Sequence, residues 1–315
     1  MYNGIINVYK EAGFTSFDVV AKLRGILGQR KIGHTGTLDP DATGVLPVVV
    51  GNATKLVDML TDKKKEYVAE LKLGVRTDTL DASGTVLETK DVTCGEDKIR
   101  AAIMSFVGDI MQVPPMYSAL KVNGQKLCDL AREGKEVERK PRPVTIHEIE
   151  IISIDMTGVT GGDKAEVSAL YGNKPVIKIR VLCSKGTYIR TLCDDIGSKL
   201  GCGAVMTSLI RTMSGAYRIE DAHTLAELQA FRDAGRLDEV IVPVDSVFAE
   251  LPEYAVTGEE LRLVKNGNQI TVNGTVTDRI RVYGRNADTD AGDFIAVYEI
   301  KDKRKQIYKP YLMFI

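Results

Sequence analysis

The chain contains no tryptophan, only three histidines (His34, His147, His223) and five scattered cysteines (Cys94, Cys128, Cys183, Cys193, Cys202). No C-x-x-C pair occurs, so neither a zinc ribbon nor a disulfide framework is expected. The histidines stand too far apart in sequence for a local metal motif, and no metal is expected. No segment approaches the ~18 uninterrupted apolar residues of a membrane span. The opening MYNGIINVYKEAG lacks the basic-then-apolar pattern of a secretory leader, so a cytoplasmic location is the expectation. Excess charge is also missing: 42 Lys/Arg oppose 43 Asp/Glu.

What remains is an ordinary globular composition, 44% hydrophobic and 27% charged, over a length that suggests about two domains. The near-neutral total hides an uneven distribution. Residues 172–218 carry eight Lys/Arg against two Asp, and 219–260 eleven acids against two Arg. Residues 261–315 return to ten basic against six acidic. Such blocks are either solvated faces or local fields able to steer a polyanion.

Periodicity predicts a strand at GIINVYK and a helix from Thr15 or Ser16, with Val19, Val20, Leu23 and Leu27 inward and Gly28 closing it. VLPVVVG reads as a buried strand, and Asn52 or Thr54 as the cap of a helix through Leu60. Glu66 to Val75 alternates like a half-buried strand. EDKIRAAIMSFVG and TLAELQAFRDAG read as helices, VTIHEIEIISID and PVIKIRVLC as strands. YIRTLCDDIGSKLG reads as a helix capped by Thr187. Between about Met111 and Arg142 a Pro-Pro pair and dense charge suggest an excursion from the core. Beyond a boundary near Leu251-Pro252, short strands separated by turn residues suggest a small β-barrel-like module.

Two stretches could carry chemistry. KIGHTGTLDPDATGVLP places Asp39 in a loop constrained by Gly33, Gly36, Gly44 and Pro40. It has neither the P-loop nor the G-x-G-x-x-G pattern, so nucleotide hydrolysis and hydride transfer lose support. Read alone, it is either an aimed carboxylate or a tight connection whose acid accepts backbone hydrogen bonds. In CSKGTYIRTLCDDIG, Arg190 at a helix start could clamp a carboxylate bidentately, or pair with Asp194 one turn on.

GHTGTLDPDATGVLP, KKEYVAELKLGVRTDTLDASG, VPPMYSALKVNGQKLCDLAREG and CSKGTYIRTLCDDIGSKLGCGA, in that order, closely resemble the TruB family of tRNA pseudouridine synthases. The resemblance runs from the first strand to about Arg211, and the trailing β-rich segment resembles the family's PUA-type RNA-binding module. It implies an α+β fold: a mixed, largely antiparallel central sheet with flanking helices and a small C-terminal β module. The implied division is a catalytic domain over 1–250, with an RNA-clasping insertion at about 111–142, and the module over 251–315.

The implied reaction is isomerisation of uridine 55 in the tRNA T loop. The glycosidic bond breaks, the uracil turns, and a C–C bond to the same ribose forms, with no net redox change and no cofactor. Asp39 matches the family's essential carboxylate and Arg190 its cationic partner, expected to depress the Asp39 pKa. Tyr67 matches the tyrosine that stacks on the base; Tyr188 and Leu209 match pocket residues. His34 matches the histidine thought to fill the place of the flipped base, and Lys10 is assigned to the substrate side. Lys121, Lys126, Arg132, Arg142, Lys185 and Arg211 are expected on phosphates, together with Lys135, Arg139 and Lys140 in the insertion. The implied partner is the tRNA T arm, bound by a monomer with no obligate protein partner.

Two departures stand out. Lys10-Glu11-Ala12-Gly13 lacks the proline often found in that motif, which bears on the rigidity of the turn. Asp41 adds a second acid beside Asp39 and is expected to face solvent. Two rival readings are an RNA-guided synthase of the dyskerin type and an RNA chaperone with secondary catalysis. The absence of extra basic tails favours a stand-alone enzyme.

Overall fold

The structure is a computed structural model and describes residues 1–122, 124–157, 174–274, 276–285 and 292–315. In chain order come β1 (Gly4–Lys10), β2 (Ile32–His34), β3 (Thr43–Val50) and β4 (Lys65–Leu73). Then follow β5 (Val75–Thr77), β6 (Val86–Thr89), β7 (Gly108–Gln112), β8 (Lys121–Val122) and β9 (Gln125–Lys126). β10 (Arg142–Asp155), β11 (Val176–Cys183), β12 (Ala204–Ser214), β13 (Tyr217–Arg218) and β14 (Ile241–Val242) complete the first part. The last strands are β15 (Glu253–Val256), β16 (Ile270–Thr271), β17 (Arg279–Gly284), β18 (Asp293–Asp302) and β19 (Ile307–Met313).

The fold is α+β. Its large sheet runs β14-β1-β3-β12-β4-β11-β10-β7, with β2 and β13 pairing off that path. Among the described named strands of this sheet, β3–β12 alone pairs in parallel, at Thr43–Gly44 beside Ile210–Arg211. This seam divides the sheet into two packed halves. Helices Ser16–Leu27 and Leu225–Asp233 cover the β1–β3 half through Val19, Val20, Leu23 and Leu228. Helices Glu96–Met104 and Ile189–Leu200 cover the other half through Ile99, Ile103, Leu192 and Ile196.

The helix ends follow from capping chemistry. Thr15 and Asp18 form a capping box, Gly28 closes the first helix in the left-handed region at φ 62°, and Thr224 with Glu227 repeats the box. Three local expectations are corrected. Asn52 and Thr54 cap nothing: Gly51–Leu56 is a 3-10 turn leading into helix Val57–Thr61. Asn52 Nδ2 is drawn instead to Phe314 O, 2.7 Å away at the far end of the chain. Thr187 does not cap its helix either, because its hydroxyl donates to Ser184 O at 3.0 Å and Tyr188 takes the cap position. β4 is largely buried rather than half-buried, since β12 and β11 flank it and helices close over it.

β7 and β10 belong to the large sheet, so the excursion itself is residues 113–141, with the β8–β9 hairpin and helix Leu127–Arg132. The C-terminal sheet runs β15-β17-β18-β19-β16 and includes helix Gly258–Lys265, which sequence patterning did not anticipate. It has its own core around Val264, Val282 and Tyr298. A further cluster joins Val297 and Phe314 to Ile5, Val49 and Leu56 of the first part. Among the described residues no helix is long and apolar enough to cross a membrane.

Candidate active site

The loop between β2 and β3 lies at the parallel seam and is bound from three sides. Gly44, at φ 103°, lets the backbone pass β12 so closely that a Cβ would stand 2.2 Å from Arg211 O. Ser16 receives the Leu38 N–H at 2.9 Å. Lys10 is fully buried, and its ammonium donates to Glu11 O (3.0 Å), Phe14 O (2.5 Å) and Pro40 O (2.8 Å). Gly13 N–H also reaches Pro40 O at 3.0 Å. The turn that lacks its proline is thus pinned to the loop by a buried cation and a backbone bond.

Asp39, held in this way, opens onto a cleft of about 850 Å3. Arg190, 6% exposed by side chain, grips it in a fork: Nε to Oδ2 and Nη2 to Oδ1, both 3.1 Å. The guanidinium also donates through Nη1 to Asp81 Oδ2 (3.1 Å) and Thr79 O (3.2 Å), and through Nη2 to Tyr117 O (2.8 Å). Five contacts match the five N–H donors of the group, which is why it tolerates burial. The alternative pairing with Asp194 does not form: Arg76 holds Asp194 at 2.9 Å.

Electrostatics here depart from the sequence expectation. Burial pushes the Asp39 carboxyl above its usual value, and Asp81 and Asp41 add to that; Arg190 and Lys10 pull the other way without winning. The side chain keeps 37% of its surface open to the cleft, yet the walls displace enough water for desolvation to dominate. Arg190 therefore limits the rise instead of producing a depressed pKa. Burial likewise draws Lys10 down to about 8. Asp41 is exposed.

Tyr67 on β4, Tyr188 and Leu209 on β12 line the same cleft as Asp39. Burial raises the Tyr67 hydroxyl pKa while the nearby Arg211 opposes it, so this phenol stays protonated at neutral pH. Gln112 fixes the Tyr188 backbone at both ends, at 2.8 and 3.0 Å. His34 stands at the end of β2, outside the cleft lining; its Nδ1 accepts the Gly36 N–H at 3.4 Å and burial lowers its pKa.

The basic residues divide into two groups. Lys126, Arg132 and Lys185 line the cleft, with Arg132 also near Asp129 (3.5 Å) and Lys185 paired with Asp62 (2.7 Å). Lys121 and Arg142 are exposed away from that lining, and Lys140 is exposed as well. Lys135 pairs with Glu133 at 2.7 Å, and Arg139 donates to Pro114 O at 3.2 Å. Two assignments need correction. Arg211 is 1% exposed, with Nε on Val45 O at 2.6 Å and its two Nη groups on Thr37 O and Gly36 O, so it builds the loop and is no surface phosphate contact. Lys10 is similarly saturated by carbonyls and meets no open surface.

Sequence reasoning missed Asp81. Its Oδ1 accepts from Thr79 Oγ1 (2.7 Å), Ser83 N–H (3.1 Å) and Ser83 Oγ (2.6 Å), while Oδ2 takes Arg190. The D-x-S spacing in TLDASG is a turn signal that could have singled it out. Among the described residues, no three His, Cys, Asp or Glu gather in a metal-binding group.

The profile of the TruB family pseudouridylate synthase N-terminal domain matches residues 24–189, and that of the tRNA pseudouridylate synthase B C-terminal domain matches 190–249. The chain is 50% identical to a tRNA pseudouridine synthase B of Lachnoclostridium phytofermentans, over 99% of this chain and 100% of the relative. For that of Clostridium kluyveri the identity is 42%, over 98% and 99%. Among solved structures, a Cbf5-Nop10-Gar1 complex aligns with a TM-score of 0.66 and 26% identity, over 99% of this chain and 85% of that one. A chain of an H/ACA RNP bound to a substrate RNA containing 2'-deoxyuridine aligns equally well, TM-score 0.66 at 25% identity over 99% and 85%.

Proposed function

The chain belongs to the TruB family and is a tRNA pseudouridine synthase, an isomerase; from that premise we propose that its target is uridine 55 of the T loop and that Asp39 is its essential carboxylate. The observation that carries this reading is the bidentate Asp39–Arg190 pair opening onto a cleft walled by two tyrosines and a leucine.

The chemistry follows from that geometry. Arg190 occupies both carboxylate oxygens and fixes their plane, leaving the exposed edge of Asp39 to meet the nucleotide. Addition at C6, attack at C1′ and abstraction of a ribose proton all require the ionised form. Tyr67 offers a protonated, flat ring, and stacking of this kind contributes about 1–3 kcal/mol per base. A T-loop base must leave its stack to arrive there, at a cost of a few kcal/mol. His34, outside the base pocket and kept neutral by burial, suits the role of filling the vacated place.

Lys126, Arg132 and Lys185 on the cleft rim suit backbone phosphates, which position RNA without reading its sequence. We assign residues 1–250 to catalysis, 113–141 to an RNA-covering excursion and 251–315 to a PUA-type module that holds the rest of the tRNA as part of a monomeric enzyme. The test is incubation with an unmodified tRNA transcript, without added cofactor, and mapping of pseudouridine at single-nucleotide resolution. Conversion confined to position 55 is expected. Conversion elsewhere, or dependence on a guide RNA, overturns the reading.

A further inference from the structure

Gln112 is the last residue of β7 and is 2% exposed. It pairs with Arg142 at the start of β10, so these two residues form the root from which the excursion 113–141 leaves the sheet. Its side-chain amide is spent on another element. Oε1 accepts the Tyr188 N–H at 2.8 Å, and Nε2 donates to Tyr188 O at 3.0 Å. A buried amide that gives one donor and one acceptor to a single residue copies the exchange of two peptide groups across a ladder. Such a clamp leaves little play between the parts it joins.

What it holds is the start of helix Ile189–Leu200. Tyr188 is the N-cap residue of that helix and makes no side-chain capping bond. Its carbonyl also accepts the Leu192 N–H at 3.1 Å, so Gln112 grips the first helical turn from outside. Arg190, whose fork holds Asp39, lies within that turn. A second tie joins the same root to the same guanidinium, because Tyr117 O, five residues beyond Gln112, accepts from Arg190 Nη2 at 2.8 Å. Next to it, Ser118 O takes the Cys128 N–H at 3.0 Å. Cys128, Asp129 and Arg132 belong to the short helix of the excursion and line the cleft.

Gln112 itself does not line the cleft, so whatever it contributes to the reaction passes through the helix it holds. We propose that Gln112 is a positioning residue: its amide locks the first turn of the Arg190 helix to the root of the excursion and so sets where Arg190 holds Asp39. The inference rests on the reading of Asp39 and Arg190 as the reacting centre. Groups that orient a functional residue from behind in this way are commonly needed for full activity although they never touch the substrate. The competing account is that the amide only completes the core, in which case its loss lowers stability and leaves the chemistry alone.

Gln112→Met keeps the length of the side chain and removes both bonds to Tyr188. Gln112→Asn, read in its place should the methionine variant not fold, keeps an amide one methylene too short to span both. For wild type and variant, the single-turnover rate of pseudouridine formation is followed against tRNA concentration and against pH, below both melting temperatures. The saturating rate is expected to fall toward the ~100-fold that a displacement of about 1 Å costs. The half-saturating tRNA concentration is expected to stay near that of wild type, because Lys126, Arg132 and Lys185 on the rim are untouched. The acid limb of the pH–rate profile is expected to move to higher pH. Arg190 is the strongest group pulling the Asp39 carboxyl down, while Asp81, Lys10 and Asp41, the other charges acting on it, remain in place. A lowered Tm with a wild-type saturating rate overturns the proposal. So does a slower rate with an unmoved acid limb, or weaker tRNA binding at an unchanged rate, or failure of both variants to fold. If wild type converts position 55 and the variant matches it, only this inference fails. If wild type converts no uridine, the functional reading fails and takes this inference with it.

Discussion

Replacing Arg190 by lysine keeps the charge and removes the geometry. The guanidinium serves five acceptors: both oxygens of Asp39, Asp81 Oδ2, Thr79 O and Tyr117 O. An ammonium has three donors, so at least two of these contacts must open. Hydrogen bonds to charged groups contribute about 1.5–3 kcal/mol each, giving a loss of ~3–6 kcal/mol. Because Asp39 keeps an open edge on the cleft, water recovers part of this, and about 3 kcal/mol is the working figure. For a chain of 315 residues, with about 2.1 cal/mol/K of unfolding entropy per residue, that corresponds to a fall in Tm of roughly 4–5 °C. The catalytic loss is larger: an ammonium cannot hold both Asp39 oxygens, and misplacement on the scale of 1 Å costs on the order of a hundredfold in kcat. Thermal melting and single-turnover pseudouridine formation check both effects. An Arg190→Lys enzyme with wild-type Tm and wild-type kcat would refute the reasoning that the fork, and not charge alone, aims Asp39.

Further outcomes follow from the geometry of the cleft. Since burial raises the Asp39 pKa, kcat/KM loses activity on acidification at a pH above the ordinary carboxylate range. Asp81 contributes to that rise, so Asp81→Asn moves the acid limb of the pH–rate profile to lower pH; an upward shift contradicts the assignment. Gly44→Ala forces a Cβ to 2.2 Å from Arg211 O at a positive φ, costing about 1–3 kcal/mol or more, read as a lowered Tm; an unchanged Tm contradicts it. Lys126→Ala removes one cation from the cleft rim and is expected to weaken tRNA binding while reducing the slope of log K against log salt by about 0.7–0.9; an unchanged slope removes Lys126 from the phosphate contacts.

Asp39 and Arg190 were legible in the sequence because each sits in a short, ordered motif, one in GTLDP and the other in GTYIRT. Their meeting was not a local property, since 151 positions separate them. Asp81 escaped notice for the same reason: it approaches Arg190 only because its turn folds over the cleft from 109 residues away. The direction of the Asp39 pKa was misjudged because a sequence suggests a partner charge, whereas the loss of water depends on walls contributed by distant strands. Lys10 was expected on the substrate side and Arg211 on a phosphate, but nearby loop carbonyls absorb both cations. Alternation marked β10 and β11 well. It could not place β12 parallel to β3, the seam on which the catalytic loop depends.

The role of Asp39 is tested most directly by Asp39→Asn, assayed on one preparation for both tRNA affinity and pseudouridine at single-nucleotide resolution. Asparagine keeps the size and the loop, and it removes a charge that burial disfavours, so folding and binding are expected to persist. Pseudouridine at the target is expected to vanish. Conversion at a rate near that of the wild type would contradict the assignment of this carboxylate to the reaction.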